Sequence, residues 1–184
     1  PEDKRDVSTG IEYGDQLIRI RPDAGLSYHF KANCYRQLGD FEKAKPLYEK
    51  SIEKRKGKAS EGNAYNVSAH NYMFSGDVQT AREQYNQAIN LSQTDWGWFL
   101  RSYYLTVSYI FENDYTGAID NINKVEKNLT NRELDNLTTL QMKSWLSLHK
   151  LICYAHNQME EEAYEALNNK ISFDRKYANL LNDK

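Results

Sequence analysis

Histidines, cysteines and acidic runs are the side chains of this sequence that could hold a metal or carry nucleophilic and acid–base chemistry. The chain has four histidines, His29, His70, His149 and His156, and two cysteines, Cys34 and Cys153. A zinc site needs three or four converging ligands. On one helix the seven-residue spacing of His149 and His156 sets them two turns apart, too far to share a metal. His29 and His70 could face each other only across neighbouring helices. The expectation is therefore no metal and no cofactor. Each cysteine lies in a strongly helical, apolar stretch and reads as a small buried hydrophobe, with no electropositive neighbour to activate a thiolate. The sequence has no HExxH, GxSxG, GxGxxG or P-loop pattern. Glu160-Glu161-Glu162 reads as a solvated helix start, where the helix dipole favours acids. No enzymatic activity is expected. Asn66, Asn90, Asn128 and Asn136 each open a formal glycosylation triplet. The helical setting of Asn66 argues against modification there.

The elements carrying these residues are helices. Of 184 residues only three are proline and nine glycine, while fourteen are tyrosine. That composition suits long helices better than a loop-rich β fold. With 40% apolar residues the chain can bury a core. Charged residues make up 27%, the net charge is −2, and no Lys/Arg block reaches five residues. Nucleic acid is therefore not an expected partner. No window approaches the eighteen apolar residues of a membrane span, so no membrane insertion is expected either. The first residue is Pro1, which reads as the start of a segment of a longer chain, with a lean to the cytoplasm.

Internal repetition organises the chain. Tyr35, Tyr72 and Tyr109 are 37 residues apart, as are Gly39, Gly76 and Asn113. Asp40, Asp77 and Asp114 keep the same period, and so do Ala44, Ala81 and Ala118. Each copy reads as a helical hairpin. Tyr28, Ala32 and Tyr35 share one helix face at i, i+4 and i+7. Gly39 can take the left-handed conformation that closes that helix, and Asp40 can cap the next. Ala44, Tyr48 and Ile52 then share a face of the second helix. Large rings opposite alanines let two helices approach closely. Pro46, past the first turn of that second helix, is expected to bend or delay it.

This order of residues resembles the tetratricopeptide repeat, a unit of about 34 residues. Tyr28, Ala32, Tyr35, Gly39, Asp40, Phe41, Ala44 and Tyr48 carry the likeness in copy one. Tyr65, Ala69, Tyr72, Gly76, Asp77, Ala81, Tyr85 and Ala88 carry it in copy two. Copy three departs at Thr106, a small position, and at Ile122 in place of tyrosine. The three extra residues per copy fall around residues 57–61 and 94–98, as longer connections between repeats. A fourth copy fits Tyr154, Ala163 and Leu167, with a turn near residues 157–159. The capping-box pattern Thr130-Asn131-Arg132-Glu133 predicts a long helix from about Arg132 to His156. The resemblance implies an all-α, right-handed superhelical solenoid of antiparallel helix pairs. It reads as a single array over 1–184: a partial repeat at 10–22, repeats at 25–58, 62–95, 99–132 and 144–172, and a capping helix at 173–184.

The same resemblance implies a function. Such a solenoid has a concave groove lined mainly by the first helix of each repeat, which holds a peptide segment of a partner protein. The residues expected to face it are His29, Asn33 and Arg36 in copy one; Asn66, His70 and Met73 in copy two; and Tyr103, Val107 and Ile110 in copy three. Leu148 and Ile152 follow in copy four. A carboxylate clamp for a partner's C-terminus is not expected, because only Asn33 stands at a matching position. The expected partner is a protein or peptide. Two alternatives are a self-associating homo-oligomer, and a regulatory or sensory segment beside other domains of a longer chain.

Overall fold

The computed structural model describes residues 7–182. Among them every regular element is a helix. The order is α1 (Val7–Ile20), α2 (Gly25–Gln37), α3 (Phe41–Arg55), α4 (Glu61–Ser75), α5 (Val78–Asn90), α6 (Asp95–Phe111), α7 (Tyr115–Leu129), α8 (Asn136–His156) and α9 (Glu160–Asn182). The chain forms two compact units, Pro1–Gln93 and Thr94–Lys184, divided in the short connection between α5 and α6. In the first unit each helix packs on the next from α1 to α5; in the second the same holds from α6 to α9.

The turns follow one local design. The N–H groups of Asp40, Asp77, Asp114 and Met159 each donate to the carbonyl of the tyrosine five residues earlier, Tyr35, Tyr72, Tyr109 and Tyr154, all at 2.9 Å. That bond closes a Schellman turn, which needs a left-handed residue just before the donor. Gly39 (φ 75°) and Gly76 (φ 92°) supply it in the first two turns, and Asn113 (φ 60°) and Gln158 (φ 59°) in the last two. The aspartates then cap the following helices. The Lys43, Thr80 and Gly117 N–H groups donate to Asp40, Asp77 and Asp114 at 3.2, 3.2 and 2.9 Å.

The core of the first unit alternates small and large side chains. Ala32, Ala44 and Tyr48 have no exposed surface, and Tyr35, Leu47 and Val67 close around them. Ala69, Ala81, Tyr85 and Ala88 repeat the arrangement in copy two. In the second unit Ile122 fills the tyrosine position, alongside Phe99, Ala118, Met142 and Leu146. Thr106 fits its small position because its hydroxyl is spoken for. It donates to the Ser102 carbonyl at 3.2 Å and accepts from the Asn121 amide at 2.8 Å. Cys34 and Cys153 are free and buried, and burial pushes the Cys153 thiol up to about 11. Both are the packing residues their apolar surroundings suggested.

Four local expectations change. Helix α8 begins at Asn136 and not near Arg132, because Asp135 accepts the Thr138 N–H at 2.9 Å and sets the start. Arg132 is engaged elsewhere: it pairs with Asp95 and lies 3.9 Å over the Trp98 ring. The extra residues near 94–98 do not lengthen a connection. Thr94 caps the Gly97 N–H at 3.1 Å, so residues 95–98 form the first turn of α6. Pro46 does not delay α3, which starts at Phe41 under the Asp40 cap. The missing N–H removes only the bond to the Glu42 carbonyl. Finally, residues 173–182 are no separate capping helix. No glycine or proline interrupts α9 between Glu160 and Asn182, so it runs on unbroken. Its second half lies along the extra length of α8, where the Ser144 hydroxyl donates to Asp174 at 2.5 Å and Lys143 lies 6.0 Å over the Phe173 ring. Residues 183–184 of that expected helix fall outside the described residues.

Candidate functional site

In the first unit the sequence-predicted groove residues of α2 and α4 assemble into two matching triads. In copy one the Tyr48 hydroxyl donates to Asn33 Oδ1 at 2.6 Å, and Asn33 Nδ2 lies 2.9 Å from His29 Nε2. In copy two the Tyr85 hydroxyl lies 2.5 Å from His70 Nδ1, and His70 Nε2 lies 3.4 Å from Asn66 Nδ2. The residue types at the two helical positions are exchanged between copies, yet the repeat tyrosine finds a polar partner fifteen residues before it in both. A fully buried phenol needs such a partner, since leaving it unpaired costs about 1–3 kcal/mol.

The two later copies answer the same constraint the other way. The corresponding positions are Tyr103, Val107 and Ile122 in copy three, and Leu148, Ile152 and Leu167 in copy four. Where the tyrosine hydroxyl is gone, its partner is apolar.

Electrostatics tie the two triads together. Burial pushes the His29 imidazole down to about 4, helped by the nearby Arg55 and Arg36 cations. Burial pushes His70 to about 4 as well, again with Arg36 nearby. Burial lifts the Tyr48 phenol to about 12. At neutral pH both histidines are therefore uncharged, and Arg36 acts on both. Among the six expected groove residues of this unit, His29, Asn33, Arg36 and His70 are half-buried, and they form the accessible polar face. Asn66 and Met73 are interior, 8% and 4% exposed. Met73 lies beneath the Tyr85 hydroxyl, with its sulfur 3.8 Å away.

In the second unit Tyr103 belongs to an aromatic cluster. Its ring lies 5.4 Å from Trp145 and 4.7 Å from His149, edge-on to the latter. Trp145 also meets Trp96 at 5.6 Å and Phe99 at 6.0 Å. An open cavity of about 400 Å³ sits between the first helices of copies three and four, lined by Leu100, Tyr103, Tyr104, Trp145, Leu148 and His149. Val107 is half-buried and does not line it. Sequence reasoning did not find Trp145 or His149 as members of this face. Their signal was the i, i+3, i+4 spacing of Trp145, Leu148 and His149, which puts all three on one side of α8. Among the described residues no helix is long and apolar enough to cross a membrane.

Comparison with known proteins agrees with this architecture. The tetratricopeptide repeat family matches the sequence over residues 23–94. No curated protein matches the sequence significantly. Among solved structures, the nearly identical TPR-like repeats assigned to a kinesin light chain of Podosopora anserina superpose with a TM-score of 0.72 at 18% identity, covering 92% of this chain and 88% of that one. MamA superposes with a TM-score of 0.66 at 15% identity, covering 96% of this chain and 87% of that one. YrrB, described as a TPR protein with an unusual peptide-binding site, gives a TM-score of 0.50 at 15% identity, covering 94% of this chain and 98% of that one. At these identities the likeness is one of fold. Residues 23–94 match the tetratricopeptide-repeat family, and the chain as a whole shares the fold of solved proteins built from that repeat.

Proposed function

We propose that the chain is a protein-interaction scaffold that holds a peptide segment of a partner against the first helices of its repeats. Protein binding is the usual role of this repeat. The observation that carries the reading is the aromatic cavity between α6 and α8. It is open, about 400 Å³, and ringed by Tyr103, Tyr104, Trp145 and Leu148. Leu148 remains 39% exposed at its edge. Aromatic-lined pockets of this kind supply apolar anchor sites for side chains of a bound segment. In the first unit, His29, Asn33, Arg36 and His70 offer neutral donors and acceptors and one cation, which suits a peptide backbone. YrrB, built on the same repeat, has a peptide-binding site of its own.

Selection from a displayed peptide library against the purified chain tests the proposal. Selected peptides are expected to lose at least about tenfold in affinity to Leu148→Glu, which places a charge in the apolar cavity. They are expected to bind normally to Glu83→Gln, on the exposed side of α5. Equal binding to wild type and Leu148→Glu would refute the site.

A second reading rests on apolar side chains left uncovered on the first and last helices. Tyr13, Leu17 and Ile20 on α1, and Tyr164, Leu167 and Ile171 on α9, are exposed. Self-association through such faces predicts a mass that rises with concentration in light scattering; a constant monomer mass would remove this reading.

A further inference from the structure

We propose that the first unit carries a binding site for a phosphate-bearing group where α2 and α4 begin, built around Arg55. Arg55 also acts on His29 of the first-helix face, but the site is built from other residues and does not depend on the peptide reading.

Three observations converge there. The first is a buried cation with no acid beside it. Arg55, in the last turn of α3, is only 5% exposed. Among the described residues it makes no ion pair. Burial alone lowers its affinity for its proton, with no carboxylate acting in the other direction. A buried guanidinium without a counter-charge is costly, because its desolvation is not offset. The acids of the neighbourhood are committed elsewhere. Asp23 pairs with Lys54 at 3.0 Å, and Glu61 accepts the Gly57 N–H at 2.7 Å.

The second observation concerns helix starts. α3, α5, α6, α7 and α8 each have a side-chain cap, from Asp40, Asp77, Thr94, Asp114 and Asp135. α2 and α4 have none. Ala24 cannot cap, and the Ser60 side chain makes no cap bond. The Ser27 and Glu61 N–H groups turn back to the Ala24 and Lys58 carbonyls, both at 3.0 Å. The other first-turn N–H groups, at Gly25 and Leu26 and at Gly62 and Asn63, lie at the positive end of the helix dipole with no side-chain cap.

The third observation is that both uncapped starts and the cation share one open cavity. It measures about 370 Å³ and is lined by Ala24, Gly25 and Leu26 from α2, Ser60 and Asn63 around the start of α4, and Arg55 and Lys58. Gly25 is what lets Arg55 reach it. A Cβ at that position would come within 2.7 Å of Arg55 Cγ and 3.1 Å of Arg55 Nε, so the guanidinium stem lies directly on the first turn of α2.

The chemistry selects the ligand class. Helix N-termini bind oxyanions through backbone N–H groups. An arginine fork adds paired donors and a lysine adds a point charge. Two cations and two helix starts match a dianion with several acceptor oxygens better than a single carboxylate. A phosphate monoester has that charge and acceptor count.

Titration with inorganic phosphate at constant ionic strength, followed by amide NMR of the full chain, tests the site. Saturable shifts are expected at Gly25, Leu26, Gly62 and Asn63, with acetate producing none of comparable strength. N-acetyl-phosphoserine amide is expected to shift the same amides. If it binds more tightly than free phosphate, the natural source is a phosphorylated side chain; if it binds more weakly, a free phosphate. Lys58→Ala, at an exposed position, is expected to weaken phosphate binding about three- to tenfold. Arg55→Met is expected to abolish it while melting at or above wild type in phosphate-free buffer, since it removes a buried unpaired charge. If Arg55→Met does not fold, the wild-type titration and Lys58→Ala still decide. Absent shifts, shifts indifferent to both substitutions, or acetate binding as well as phosphate would each overturn the proposal.

Discussion

Lowering the pH from 7 to 4.5 is expected to destabilise the first unit through His29 and His70. Both imidazoles sit at about 4 in the folded chain, against about 6.5 for an exposed histidine. Above pH 6.5 they are neutral whether the chain is folded or not, so they contribute nothing to the pH dependence. Between pH 6.5 and 4 the unfolded chain binds more protons than the folded one, and stability falls as acid is added. Taken at full value, a shift of about 2.5 units is worth about 3.4 kcal/mol per histidine. Both rings retain some contact with water, so about half of that is a fairer figure, or roughly 3 kcal/mol for the pair by pH 4. No carboxylate offsets this, since the charged groups acting on the two rings are Arg36 and Arg55. Asp40, whose proton affinity is lowered by its bond to Lys43, loses its contribution only at more acid pH. Urea unfolding at pH 7, 5.5 and 4.5, followed by circular dichroism, gives the slope. His29→Gln with His70→Gln is expected to flatten it between pH 6.5 and 4.5. The reasoning fails if the double variant keeps the wild-type slope, or if NMR titration places both imidazoles near 6.5 in the folded chain.

Three further outcomes follow from the geometry. Tyr48→Phe and Asn33→Leu are each expected to cost about 1–2 kcal/mol, by orphaning one end of the 2.6 Å bond, while the double variant costs less than their sum; additive losses in a double-mutant cycle would contradict the coupling. Gly25→Ala is expected to lower the melting temperature, at about 1–3 kcal/mol, because the new methyl would sit 2.8 Å from the Ser51 carbonyl oxygen; an unchanged melt would count against the close packing of α2 on α3. Asp135→Ala is expected to cost about 1 kcal/mol and to increase amide exchange in the first turn of α8, whereas Glu133→Ala leaves that turn unchanged, and the reverse order would restore the capping box as the start signal.

How much of this was legible in the sequence depends on the kind of interaction. The hairpins could be read because each depends on local residues with few substitutes. A left-handed turn residue, a capping aspartate two steps before the helix interior and a tyrosine carbonyl within reach recur every 37 residues, and Asn113 keeps the geometry where glycine is absent. The ends of α8 and α9 were harder. Thr130 and Glu133 fit a capping box as well as Asp135 fits a cap, and the Arg132 between them is drawn instead to Asp95 and Trp98, which lie far away in sequence. The unbroken length of α9 follows from its packing along the extra turns of α8, a pairing no local pattern announces. The uncapped starts of α2 and α4 were silent for the same reason. An alanine or serine before a helix says little until the structure puts Arg55 beside both.

The groove residues show why a repeat register finds positions but not roles. His29, Asn33, Asn66 and His70 occupy the same two places in adjacent copies, and by register alone all four point toward a ligand. The bonds divide them. Asn33 and His70 each serve a buried phenol, so a substitution there acts first on stability and only then on binding. The exchange of histidine and asparagine between copies fits this division. A phenol donor is satisfied by either an amide oxygen or an imidazole nitrogen, so long as the partner sits fifteen residues before it. Where the phenol disappears, at Ile122 and Leu167, the requirement disappears with it, and Val107 and Ile152 take the place. The polar and apolar halves of the first-helix surface are thus set from beneath, by what each repeat tyrosine or its replacement demands. The polarity of that surface was chosen largely by the core.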